Sequence, residues 1–222
     1  MFRFVFACDM ASGCRCVLAR RLDGNCVYVN LWDRFPGFDV NQYTHGETFD
    51  FDSARLALLS RSGRLALGAP CVTHDACCAC PQIDSAVAGS PCIAWSRSGK
   101  RAGRKHPITG VLLAWCVWVL FAKPKVALHE NVIGFDVQIL EEMLGEYYFI
   151  QHVRAAPSHM GFPFIGRSRI YSVIILRTAS SRPPADLQQV YDRIVAGMQY
   201  RAEDSLAWIS ELQTSRSCRK KI

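Results

Sequence analysis

The sequence lacks what a membrane-spanning or secreted chain would carry. Its longest apolar run, Val111 to Ala122, is too short to cross a bilayer and reads as a buried helix. No apolar stretch with a cleavage site follows Met1 to Val5, so no signal peptide is expected and the thiols are expected to stay reduced. An even set of cysteines is missing as well: there are 11, which argues against a disulfide framework. The polar composition of a disordered chain is absent, because 50% of the residues are apolar and can bury a core. Acidic residues are in the minority, 19 against 26 Lys and Arg, for a net charge of +7. That excess favours contact with polyanions. One basic cluster comprises Arg97, Lys100, Arg101, Arg104 and Lys105; a second, Arg216 to Lys221, reads as a solvated terminus.

The 222 residues suit one α/β domain, with or without a short appendage. Strands are expected at Arg3–Cys8, Cys26–Val29, Asp84–Ala88, Lys125–Leu128, Tyr147–Val153 and Ile170–Leu176. Helices are expected at Cys14–Leu22, Gly110–Phe121, Phe135–Leu144 (closed by Gly145), Ala185–Met198 and Glu203–Leu212. Pro183-Pro184 marks a boundary before the last two. Arg55–Cys80 shows no clear period, and the Gly-, Ser- and Arg-rich stretch Ser96–His106 is expected to be mobile. Strand and helix alternate, which predicts a Rossmann-like, doubly wound, mostly parallel sheet with ligands at the carboxyl ends of its strands. Cys92, Glu130 and Trp32 each fall just after an expected strand and converge on that edge.

Three segments carry candidate chemistry. Cys92 follows Pro91 at the end of a strand and precedes a loop, a placement that presents a thiol to a substrate. By itself such a cysteine is more often a small buried hydrophobe. Glu130 stands between His129 and Asn131 at an expected strand end, where a carboxylate serves as a proton donor or as an ordinary turn acid. Arg167 and Arg169, two residues apart, share one side of an extended segment, placed to orient a carboxylate, grip an oxyanion or line a solvated edge.

Together Pro91-Cys92, Glu130-Asn131-Val132 and Arg167-Ser168-Arg169 resemble, in order, the motifs of the cytosine-5 DNA methyltransferase family. Glu130 follows Cys92 by 38 residues, an interval similar to that of compact bacterial members. Asp84 and the run Trp95-Ser96-Arg97-Ser98-Gly99-Lys100 with Gly103 resemble the start and the continuation of the family's catalytic loop. The resemblance implies that Cys92 attacks C6 of a cytosine and forms a covalent adduct. It implies that Glu130 contacts N3 and the exocyclic amine, and that Arg167 and Arg169 position the base and the catalytic groups. C5 then takes a methyl group from S-adenosylmethionine. The target base has to leave the duplex, at roughly a few kcal/mol, and the basic loop Arg97–Lys105 offsets part of that through phosphate contacts.

For the cofactor the resemblance points to Gly13, Trp32, Asp33 and Asp52. Trp32 in Asn30-Leu31-Trp32-Asp33 stands where an aromatic packs on adenine; Leu31 holds the usual place of a ribose-binding acid, with Asp33 as its substitute. Gly46-Glu47 followed by Asp52 resembles the third motif. Of the family's glycine-rich first turn, only Gly13 survives in Phe6–Gly13.

The expected organisation is a catalytic domain over 1–176, with Arg55–Cys80 as an insertion, and a helical extension over 177–222 without a recognisable target recognition region. Cys71, His74, Cys77 and Cys80, each three apart, with Cys78 between them, have a spacing that could ligate a metal; incidental cysteines, and no metal, are the preferred reading. DNA is the expected partner, with RNA as an alternative substrate and a second chain as a possible source of target recognition; a membrane is not expected. The compartment follows from DNA: nuclear in a eukaryote, cytoplasmic at the nucleoid in a bacterium. A competing reading is a weak or inactive relative that binds DNA or a partner chain.

Overall fold

A computed structural model describes residues 4–160, 165–180 and 185–197. Pro183-Pro184, the helix expected at Glu203–Leu212 and the basic tail lie outside them. The chain runs through β1 (Phe6–Cys8), α1 (Ser12–Arg21), β2 (Cys26–Tyr28), β3 (Thr44–His45), β4 (Thr48–Phe49) and α2 (Phe51–Leu59). It continues through β5 (Gly68–Cys71), β6 (Ala76–Ala79), β7 (Ser85–Gly89), α3 (Thr109–Ala122), β8 (Val126–Val132) and α4 (Gln138–Leu144). The last elements are β9 (Tyr148–Ala155), β10 (Arg169–Leu176) and α5 (Leu187–Gly197).

The architecture is mixed α/β, but it corrects the expectation of one doubly wound, mostly parallel sheet. Two separate four-stranded sheets form, ordered β1-β2-β5-β6 and β7-β8-β10-β9. Each has a single parallel pair, β1 with β2 and β7 with β8; every other pairing in the two sheets is antiparallel. The reason lies in the connections. Only α1 and α3 make a crossover between strands that then pair side by side, and a parallel pair needs such a crossover. The β5–β6 turn is a four-residue hairpin, and β10 enters between β8 and β9.

α3 is the axis of the core. Its sequence Thr109–Ala122 has no polar face, and Leu113, Ala114, Cys116, Val117 and Val119 are fully buried. Ala54 and Leu58 of α2, Ile139, Leu140 and Leu144 of α4, and Ala127, Ile170 and Ile174 of the second sheet share its cluster. Lys123, in the left-handed conformation at φ 48°, ends the helix before Pro124. Gly145 ends α4 as expected, in the right-handed region.

α1 differs from α3: none of its side chains is buried. The stretch without a readable period folds into the end of α2 and the β5–β6 hairpin, whose Gly-Ala-Pro-Cys and Ala-Cys-Cys-Ala strands carry little β propensity of their own. Among the described residues, no helix is long and apolar enough to cross a membrane.

Candidate active site

The second sheet presents the candidate residues at one edge. β8 alternates cleanly: Ala127, His129 and Asn131 are buried toward α3, while Leu128, Glu130 and Val132 occupy the other face. Glu130 therefore lies inside a strand rather than just after one, a correction to its expected place. In the parallel register Gly89, the last residue of β7, pairs with Glu130. Cys92 follows three residues later, exposed at the carboxyl end of β7.

Arg169 opens β10 and donates from Nε to Glu130 Oε1 at 2.7 Å. Glu130 Oε2 stands over β7, where a Cβ added at Gly89 would meet it at 3.4 Å. One carboxylate oxygen is thus held by a cation and the other faces the strand that leads to Cys92. Arg167 does not join the pair. It lies in exposed coil ahead of β10, where its backbone N–H donates to the Ile165 carbonyl. The two arginines do not act as one fork here, because only Arg169 has entered the ladder.

A polar network missed in the sequence anchors the root of the Cys92 loop. Asn131 Nδ2 donates to Ser90 Oγ at 3.0 Å and to the Ser90 carbonyl at 3.3 Å, and the Ser90 hydroxyl pairs with His129 Nε2 at 2.9 Å. Asn131 Oδ1 accepts from the Val132 N–H at 2.8 Å. His129 packs between Trp115 and Phe135. Burial, with a smaller push from nearby His152, lowers its pKa to about 4, so it is a neutral hydrogen-bonding group at pH 7. The signal was present in the sequence as two polar residues at core positions of one strand, but it reads first as the end of an apolar run.

The loop after Cys92 is fastened, against the expectation of mobility. The Cys92 carbonyl accepts from Trp95 and Ser96 N–H groups at 2.9 and 2.8 Å, and Gly103 N–H reaches the Ala94 carbonyl at 3.0 Å. Gly99 passes so close to the Ile93 carbonyl that a Cβ there would stand 1.9 Å from its oxygen, so this turn requires glycine. Trp95 meets Phe135 edge to face. Arg104, one of the expected phosphate contacts, grips Glu142 with two bonds at 2.8 and 2.9 Å and Asp136 at 2.7 Å, and lies over Phe51. Those bonds raise its pKa further and commit it to the fold. Lys100 reaches Glu47 of the β3–β4 turn at 2.8 Å. Arg97, Arg101 and Lys105 remain exposed.

The expected cofactor residues do not form a cradle. Gly13 lies in the first turn of α1 with open space where a Cβ would be and no positive φ, so nothing there demands glycine or a close backbone approach. Trp32 follows β2 as expected, but one face of its ring is filled by Phe38, stacked at 5.5 Å, which in turn stacks on Tyr43. Leu31 packs on the core, and Asp33 is exposed in the short 3-10 turn Leu31–Arg34. Asp52 is exposed in the first turn of α2, 3.7 Å from Arg55. A cavity of about 460 Å³ is lined by Arg34, Phe35, Pro36, Arg61 and Arg64 among others, and none of the four expected residues borders it. The residues present do not fit S-adenosylmethionine as placed by the family pattern.

The sequence model for the family described as C-5 cytosine-specific DNA methylase matches residues 72–193. Over 105 residues the chain is 33% identical to the Type II methyltransferase M.MspI of Moraxella sp, a stretch covering 43% of this chain and 25% of that protein. The chain thus spans about a quarter of the length of this curated relative. A solved E. coli protein, a candidate prophage-encoded DNA modification methyltransferase, superposes with a TM-score of 0.40 at 14% identity, over 78% of this chain and 40% of that one. The family match covers more than half of the sequence and contains Pro91-Cys92, Glu130 and both arginines, and the chain belongs to the C-5 cytosine-specific DNA methylase family.

Proposed function

We propose that this chain acts on cytosine in DNA as a cytosine-5 methyltransferase domain, with Cys92 as the nucleophile. The observation that carries the reading is the Glu130–Arg169 pair, seated over Gly89 on the strand that leads to Cys92, within the residues the family matches. C5 of cytosine is a poor nucleophile. In this reading the Cys92 thiolate forms a bond to C6, and the C5–C6 π pair moves toward C5. Glu130, carrying a proton on Oε2 in the bound complex, donates it to N3 and so offsets the negative charge that builds in the ring, while the exocyclic amine donates to the same carboxyl group; Arg169 is a positioning residue that holds Oε1. Once C5 has taken an electrophile it loses its original proton, and the S–C6 bond breaks to restore the double bond. S-adenosylmethionine is the methyl source the family implies, although Gly13, Trp32, Asp33 and Asp52 do not frame it.

The base must be extruded from the duplex, and Arg97, Arg101 and Lys105 are the cations still exposed for phosphates on the loop. The unframed cofactor residues favour a second reading, a family member that binds or adds to cytosine without efficient methyl transfer. Incubation with DNA containing 5-fluorocytosine and S-adenosylmethionine separates the two. The first reading gives a covalent adduct, because fluorine at C5 blocks the final elimination, and Cys92→Ala abolishes it. No adduct with DNA, and none with RNA of the same sequence, removes the transferase reading.

A further inference from the structure

A second cluster of chemically capable side chains lies on the first sheet, and none of its members belongs to the Cys92 site. Cys26 opens β2, Cys71 ends β5, His74 lies in the hairpin turn and Cys78 lies in β6. Their ligand atoms all fall within 4.8 Å of one another. His74 Nδ1 is 3.6 Å from Cys26 Sγ, 3.4 Å from Cys71 Sγ and 3.4 Å from Cys78 Sγ. Four ligands around a tetrahedral zinc, with Zn–S near 2.3 Å and Zn–N near 2.0–2.1 Å, place sulfur and nitrogen about 3.6 Å apart. The three observed distances match that spacing.

We propose that Cys26, Cys71, His74 and Cys78 bind one zinc ion in a closed, four-coordinate structural site that ties the β5–β6 hairpin to β2. Three soft thiolates and one imidazole favour zinc over harder cations, and four protein ligands leave no open position for catalysis. Zinc takes the three sulfurs as thiolates, so binding releases their protons to solvent, while His74 binds as neutral imidazole. Thr73 Oγ1 donates to the Asn25 carbonyl at 2.9 Å and the Val72 N–H to the Val27 carbonyl at 2.8 Å, fixing the turn against β2.

The sheet's own buried cluster is small, Tyr28, Ala69 and Cys71 among the described residues, and it joins the main core through Phe6, which meets Trp118 of α3. The proposed site lies at the far end of that cluster, where Cys26 and Cys78 pack on it. Cys77 alternates to the other side of β6, with its sulfur against Gly68, and Cys80 lies beyond the strand near Arg34 and Trp118. The four residues that converge include Cys26, far upstream of the evenly spaced run.

Elemental analysis of the full chain, purified under reducing conditions without added metal, tests the site independently of any activity on DNA. The expected content is about one zinc per chain, lost in Cys26→Ser and Cys78→Ser and kept in Cys77→Ser and Cys80→Ser. Replacement of zinc by cobalt(II) in the unaltered chain is expected to give thiolate-to-cobalt charge-transfer bands and the intense ligand-field absorption of a tetrahedral site, a readout that stands even where the serine variants precipitate. Absence of zinc together with a weak octahedral cobalt spectrum overturns the proposal. So does zinc retained in Cys26→Ser and Cys78→Ser, or a disulfide among Cys26, Cys71 and Cys78 in the anaerobically purified chain.

Discussion

The two sheets stand on different supports. The sheet β7-β8-β10-β9 rests on α3 and α4, where Ala127, Ile139, Leu144 and Ile174 are fully buried. The sheet β1-β2-β5-β6 has Tyr28, Ala69 and Cys71 as its own cluster and carries α1, a helix with no buried side chain. On the second sheet Glu130, Arg169 and the root of the Cys92 loop are fixed by direct contacts. The residues expected around a cofactor are dispersed over both supports: Gly13 lies on α1, while Trp32 and α2, which carries Asp52, pack on the α3 core. Glu130 and Arg169, the residues proposed for the base side, are in direct contact, and the first sheet carries a cluster of three thiols and one histidine.

The largest expected effect lies at the base side. Glu130→Gln keeps the size of the side chain but removes the acid that gives N3 its proton and the ion pair with Arg169. Loss of one charge-stabilising group in a reaction of this kind costs about 10²–10³-fold in rate. Cys92-dependent chemistry on DNA should fall by that order while the variant keeps its unfolding midpoint. An unchanged rate would detach Glu130 from the chemistry.

Core substitutions test the contrast in support directly. Leu144→Ala, fully buried in α4, should cost about 2–5 kcal/mol in urea unfolding. Val17→Ala, on exposed α1, should change stability by less than about 0.5 kcal/mol. Equal losses at both positions would mean that α1 is as firmly packed as α4.

Acid should weaken the base side through His129. Its pKa falls from 6.5 to about 4 in the folded chain, so the unfolded chain binds the proton more readily between those values. The neutral, buried form is fully favourable above pH 6.5, and its contribution is lost as pH drops toward 4. The loss amounts to roughly 2–3 kcal/mol at the low end. His152, also lowered by burial despite its contact with Glu141, adds in the same direction. Stability measured at pH 7, 5.5 and 4.5 should decline more steeply in the unaltered chain than in His129→Gln. Parallel profiles would contradict the buried neutral histidine.

The sequence made some of this legible for physical reasons. α3 was visible because a run of apolar residues without a polar face has no stable place except a core. The loop at Cys92 was visible because Pro91, Gly99 and Gly103 punctuate the chain around it. Glu130 was placed outside its strand because His129 and Asn131, polar residues on the core face of β8, interrupt the period-2 pattern; only their bonds to Ser90 show that they belong there. The mostly parallel expectation failed because β10 inserts between β8 and β9 and the β5–β6 hairpin joins the first sheet, pairings that put antiparallel neighbours in both sheets. The convergence of Cys26 with Cys71, His74 and Cys78 was not legible because regular three-residue spacing suggests proximity along the chain, whereas strand alternation turns Cys77 away and β2 supplies Cys26.

The central claim is that Cys92 adds to C6 of cytosine with help from Glu130. Its most direct test is release of tritium to water from DNA carrying cytosine tritiated at C5, measured with and without S-adenosylmethionine. Addition at C6 makes C5 basic enough to exchange its hydrogen, so no methyl donor is needed for the signal. The account predicts release by the unaltered chain under both conditions and none by Cys92→Ala. No release from the unaltered chain, or equal release from Cys92→Ala, would contradict it.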